Sequence, residues 1–106
     1  MTVYEVYVDS MYHNGYYDGA MSADEILEEA LDCVSNHELL TITESLDEAI
    51  EIAKDNIETE RTRNGFFVQY AYIDEIEYDD NDETDDGTFI GTVDYYVEPL
   101  KEMNYD

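Results

Sequence analysis

Nine carboxylates occupy the thirteen positions 74–86, inside the stretch YIDEIEYDDNDETDD, and no lysine or arginine stands among them. The bias runs through the whole chain: 29 of 106 residues are acidic and 4 are basic (Lys54, Arg61, Arg63 and Lys101), a formal charge of -25, so most carboxylates have no cation to pair with. A chain this acidic folds only if it is also rich in apolar side chains, because otherwise it cannot bury enough surface to offset chain entropy. Hydrophobic residues make up 43% and tyrosines number eleven, enough for one compact domain spanning residues 1–106 despite the self-repulsion.

The same imbalance restricts partners. Nucleic acid and anionic membranes repel such a surface, so the partner is expected to be a basic protein. Cys33 is the single cysteine, which rules out an intramolecular disulfide and points to a reducing, cytoplasmic setting. MTVYEVYVDS has neither the basic start nor the apolar core of a signal peptide, and no run approaches the roughly 20 apolar residues of a membrane span.

Periodicity predicts an α+β fold, an antiparallel sheet with two helices packed on one face. VYEVYVDSMY (residues 3–12) alternates as a strand and ends at Asn14-Gly15, a tight-turn signal. Ser22 and Glu25 form a capping box before a helix over about residues 23–35, with Ile26, Leu27, Ala30, Leu31 and Val34 at helical spacing. The opposite face of this helix carries Asp24, Glu25, Glu28, Glu29 and Asp32 with no basic residue to relieve them. LLTIT (39–43) reads as a short strand. Ser45 and Glu48 repeat the capping signature before a second helix over about residues 46–62, whose end carries Arg61 and Arg63 where they suit the helix dipole. FFVQYAYIDEIEY (66–78) and TFIGTVDYYV (88–97) read as an antiparallel hairpin, with Phe89, Val93, Tyr95 and Val97 on one face and the acid run over the connecting loop, closed by Asp86-Gly87.

Chemistry is sparse. An EF-hand loop started at Asp82 has Thr84, Asp86 and Gly87 in place but Val93 at the position that needs a bidentate Glu, which makes a calcium-binding module the weakest of three readings. The offset two before Lys54 and Lys101 holds Ile52 and Pro99, not the acid of a metal-dependent nuclease, and cations to stabilise phosphoryl transfer are nearly missing. Cys33 and His37 have metal-ligand spacing, but acidic neighbours raise rather than lower a thiol pKa, and a buried cysteine beside an exposed histidine accounts for them. Tyr70, Tyr72, Tyr78, Tyr95 and Tyr96 lie among acids instead of the positive groove that single-strand binders use, so they read as sheet packing or protein contacts. No enzyme, cofactor or metal is expected.

What remains is the charge itself. Acids at alternate strand positions, such as Glu75 and Glu77, lie about 6–7 Å apart, and Glu25 and Glu29 about 6 Å apart along a helix axis. Rows of this spacing can stand in for a phosphate backbone, and -25 goes well past the ~2 to 8 that solubility requires. VYVDSMYHNGYYDG, with Tyr7-Val8, Tyr12, Asn14-Gly15 and Gly19, resembles the opening of plasmid and phage antirestriction proteins of the ArdA kind. In size and composition the chain is similar to phage anti-CRISPR proteins. Both resemblances imply an acidic mimic of DNA that blocks the cationic groove of a bacterial defence nuclease, a Cas effector or a restriction enzyme, in the host cytoplasm. The expected partner-binding residues are Asp74, Glu75, Glu77, Asp79, Asp80, Asp82, Glu83, Asp85 and Asp86, with Asp24, Glu25, Glu28, Glu29 and Asp32 as a second row. The alternative is a small acidic interaction or regulatory module unrelated to DNA, and the sequence leaves self-association as a homodimer open.

Overall fold

Two long strands organise the molecule. In the computed structural model, which describes residues 1–14, 20–31, 36–62, 65–79, 81, 84 and 86–100, β1 (Thr2–Asn14) and β4 (Gly65–Glu77) pair antiparallel along their full length, from Thr2 opposite Glu77 to Asn14 opposite Gly65. Between them in the chain come α1 (Ala23–Leu31), β2 (Asn36–Thr43), α2 (Leu46–Asp55) and β3 (Glu58–Arg61), and β5 (Thr88–Tyr96) follows β4. β2 pairs with the free side of β1. The outer edge of β4 is shared end to end, β3 taking residues 66–69 and β5 residues 71–77. All five strands form one antiparallel sheet, curled into a half-barrel.

Side chains alternate across a strand, so the β1–β4 register decides which residues share a face. Val6 and Val8 lie with Ala71 and Ile73 on one side, and Asp9 and Met11 with Tyr70 and Val68 on the other. α2 seats Ala49 and Ala53, both fully buried, on the first group. α1 drives Ile26 into the second, where Met11, Phe66, Val68, Tyr70 and Leu100 surround it. Leu100 reaches that core through a two-bond bridge with Met21, N–H to carbonyl both ways at 2.9 and 3.0 Å.

This corrects the expected α+β arrangement with two helices on one face. The described residues are mostly antiparallel β, and the two short helices among them lie on opposite faces. The reason is in β4: Phe66, Val68 and Tyr70 make one face apolar while Ala71 and Ile73 make the other so, and each needs its own cover.

The second helix is also shorter than its periodicity suggests. It starts as expected, Ser45 Oγ accepting the Glu48 N–H at 3.2 Å, but ends at Asp55. The Asn56 side chain donates to the Ile52 carbonyl at 2.8 Å and its backbone N–H to Ala53, closing the last turn. Gln69 then holds the Asn56 carbonyl at 2.6 Å, and ETER turns into β3 rather than continuing the helix. Arg61 therefore stands in a strand opposite Phe66, not at a helix terminus. The first helix begins on the expected Ser22–Glu25 contact, Ser22 Oγ accepting the Glu25 N–H at 3.2 Å. It is described to Leu31, and residues 32–35, like Gly15, Arg63 and Asn64, lie outside the described residues.

Candidate functional site

α1 covers only part of its face. Further along the same side of the sheet, pairing aligns Leu39, Tyr7, Tyr72 and Tyr95 in one row across β2, β1, β4 and β5. The Tyr7 and Tyr72 rings stack at 5.3 Å and 19°, and Tyr72 meets Tyr95 at 5.5 Å. Large side chains directly opposite one another on neighbouring strands are within reach of such contacts. The rows on either side carry acid. One contains Ile42, Glu5, Asp74 and Thr92, the other His37, Asp9 and Tyr70.

The two carboxylate rows are built differently. Asp9 is 6% exposed, accepts the Tyr70 hydroxyl at 2.9 Å and pairs with His37 Nδ1. His37 is itself exposed and stacks on Tyr7 at 5.0 Å. Glu5 and Asp74 instead face one another half-buried, Glu5 accepting the Tyr7 hydroxyl and Asp74 the Thr92 hydroxyl, each at 2.8 Å. Among the described residues each carboxylate takes this one side-chain hydrogen bond, which leaves its other lone pairs for a partner.

The tyrosines feel this charge. The hydrogen bond to Glu5, with burial and the neighbouring Asp74, pushes the Tyr7 phenol up to about 12. Burial first, then Asp9, raises Tyr70 and Tyr72 further, and burial with Asp94 raises Tyr96. All four hold their protons at neutral pH. Of these, Tyr7 and Tyr72 are half-buried in the open row and present their rings beside Glu5 and Asp74, whereas Tyr70 is buried in the α1 core and Tyr96 lies on the α2 face opposite Ala71. The patch suits a guanidinium or ammonium group, which pairs with carboxylates and lies over tyrosine rings.

The residues expected from sequence are dispersed. Asp74 belongs to the open row, but strand alternation sends Glu75 and Glu77 to the α2 face. Glu77 accepts the Thr2 hydroxyl and lies 3.3 Å from the N-terminal ammonium, contacts that hold its carboxyl below the usual range, the Thr2 bond most. Asp79 is exposed and turns an oxygen onto the Asn81 N–H at 2.9 Å, and Asp86 is exposed before Gly87, whose φ of 90° confirms the turn. Asp24, Glu25 and Glu28 are exposed on α1, to which Glu29 also belongs. Asp32, Cys33, Asp80, Asp82, Glu83 and Asp85 lie outside the described residues. The α1 acids sit at the Val68 end of β4, six to nine residues from Asp74 and Glu77, which is about 20–30 Å of strand.

Sequence reasoning missed Glu5, Tyr7, Asp9 and His37 as neighbours of Tyr72 and Asp74. The alternation Glu5, Tyr7, Asp9 was visible, but only the antiparallel register sets it against Asp74, Tyr72 and Tyr70. No group of three or more metal-ligating side chains occurs among the described residues, and no described helix is long and apolar enough to cross a membrane. Comparison with family models, curated proteins and solved structures gave no match.

Proposed function

We propose that the protein is a DNA-mimicking inhibitor of a bacterial defence nuclease, a CRISPR effector or a restriction enzyme, and that it fills the cationic nucleic-acid groove of that enzyme in the host cytoplasm. It acts by occupancy and catalyses nothing. The observation that carries this reading is charge density on an elongated body. The molecule measures 61 × 23 × 18 Å, and its radius of gyration of 16.4 Å exceeds the roughly 13 Å of a compact chain of this length. Duplex DNA of the same length carries roughly 36 phosphates, so a charge of -25 is about two-thirds of that density. Of the described acidic side chains, all but Glu5, Asp9, Asp74 and Glu75 are exposed. They lie on both helices, which cover opposite faces of the sheet, and on the α2 face of the strands as Glu38, Glu58, Glu60, Glu77 and Asp94, which makes the body negative on more than one side, as a duplex is.

The test is competition. Purified restriction enzymes and CRISPR effectors are bound to fluorescent duplex DNA and titrated with the protein at several salt concentrations. Mimicry requires that at least one enzyme releases its DNA competitively, with an inhibition constant that weakens steeply as salt rises. Failure to displace DNA from any of them, or displacement indifferent to salt, rejects it in favour of an acidic interaction module unrelated to DNA.

A further inference from the structure

β5 breaks the charge pattern. TFIGTVDYY holds a single carboxylate, Asp94, in a chain with 29 acids. Phe89 is 59% exposed, Ile90 56%, Val93 42% and Tyr95 38%. Single exposed apolar residues are ordinary, but four within seven positions of one edge strand form a patch that calls for a cover. Among the described residues no strand pairs with the outer edge of β5.

Two β-bulges shape that edge. The ladder to β4 skips Val93 between Asp94 and Thr92, and Ile90 between Gly91 and Phe89. Phe89 and Tyr95 still share a face, opposite Ile76 and Tyr72, as the expected alternation has it, but Val93 falls in a bulge and leaves that row. Bulges interrupt the row of unpaired backbone groups and turn the strand, which opposes unbroken addition of another strand. They also expose Phe89 and Ile90 together. The edge thus offers side chains more than backbone.

Resting on the reading above that the partner is basic, we propose that Phe89, Ile90, Val93 and Tyr95 anchor a basic segment of the partner protein that carries apolar side chains beside its lysines or arginines. Charge complementarity selects this occupant. Asp74, opposite Thr92, shares the face of Phe89 and Tyr95, Asp94 follows Val93 but turns to the opposite face with Ile73, and Asp86 and Glu98 stand beyond either end of β5, so the apolar anchors are bordered by carboxylates. Apolar anchors inside a polar rim are the usual anatomy of a binding hot spot. A second copy would instead bring another body of charge -25 to the same edge.

Two eight-residue peptides of equal charge, one alternating Lys and Val, the other Lys and Ser, serve as probes in fluorescence anisotropy at low and high salt. The Lys–Val peptide binds at least about tenfold more tightly, and the ratio persists at high salt because screening acts on both peptides alike. The F89S/I90S variant, and V93S separately, reduce the ratio towards one while leaving Lys–Ser binding and the circular dichroism spectrum unchanged. Equal binding of both peptides by the wild type overturns the anchor and leaves the basic-partner reading intact, as does a ratio unaffected by the variants. Failure of both peptides to bind at low salt overturns both. A concentration-dependent dimer in sedimentation, abolished by F89S/I90S, assigns the patch to a second copy and likewise overturns the proposal.

Discussion

The two helices cover opposite faces of the same strand pair by different means. α2 presents Ala49 and Ala53, small enough to bring the helix close to Val6, Val8, Ala71 and Ile73, and Leu46, Ile50, Ile52 and Ile57 fill in around them. α1 inserts Ile26 over Met11, Phe66, Val68 and Tyr70, with Leu27 and Met21 beside it, and the row of Leu39, Tyr7, Tyr72 and Tyr95 runs on past it, Tyr72 packing against the edge of that core. A strand apolar on both sides is thus closed wherever a helix reaches it. Where none reaches, the same alternation produces an amphipathic surface for other use.

The largest effect should come from the face that is closed most fully. Ile73→Ala removes a side chain held between sheet and α2, where little can relax into the void, and should cost about 2–5 kcal/mol. Ile26→Ala should cost less, because α1 can settle toward the sheet and the price of a cavity falls as its walls collapse. Urea denaturation measures both. Hydrogen exchange adds a qualitative difference, since Ile26→Ala should speed exchange in α1 before β1 and β4, whereas Ile73→Ala should lower protection throughout. Equal costs with uniform exchange would show that the two helices are seated alike.

Next in size is the hydrogen-bonded carboxylate beside the α1 core. Asp9→Ala leaves the buried Tyr70 hydroxyl without its acceptor, a loss of about 1–3 kcal/mol. The double variant Asp9→Leu/Tyr70→Phe, which removes both partners and restores volume, should regain most of it. If the double variant is as unstable as the single one, packing around Asp9 matters and its hydrogen bonds do not.

Much of this was legible in the chain. Both capping signatures, the β4–β5 hairpin and the first strand follow from local patterns that tertiary structure left alone. The end of α2 was not legible, because Ile57 continues the helical stripe and only Asn56, Gln69 and pairing with β4 divert the chain into β3. Opposite placement of the helices was hidden for a related reason. Residues 66–73 are apolar at nearly every position, so periodicity cannot say which face each helix will claim. The acid run drew attention by composition, yet alternation divides Asp74 from Glu75 and Glu77, and the open row depends on a register that no single segment encodes.

The open row is best probed at high pH, where the effect is smaller and local. Tyr7 has its phenol raised from its ordinary value of 10 to about 12, chiefly by its bond to Glu5. Because the folded value lies above the unfolded one, the protonated phenol stabilises the fold fully below pH 10, and that contribution is lost as pH rises from 10 through 12. Tyr70, Tyr72 and Tyr96 shift in the same direction, so the wild type should lose stability across this window and Tyr7→Phe should lose less. Glu5→Gln keeps the shape of the acceptor but removes its charge, so the Tyr7 ring should then titrate at lower pH, read from its ring-carbon chemical shift. The Tyr70 titration should stay in place, since it depends on burial and Asp9. A Tyr7 titration unmoved by Glu5→Gln would mean that burial, not the carboxylate row, holds the proton, and the open row would then resemble the closed one more than its geometry suggests.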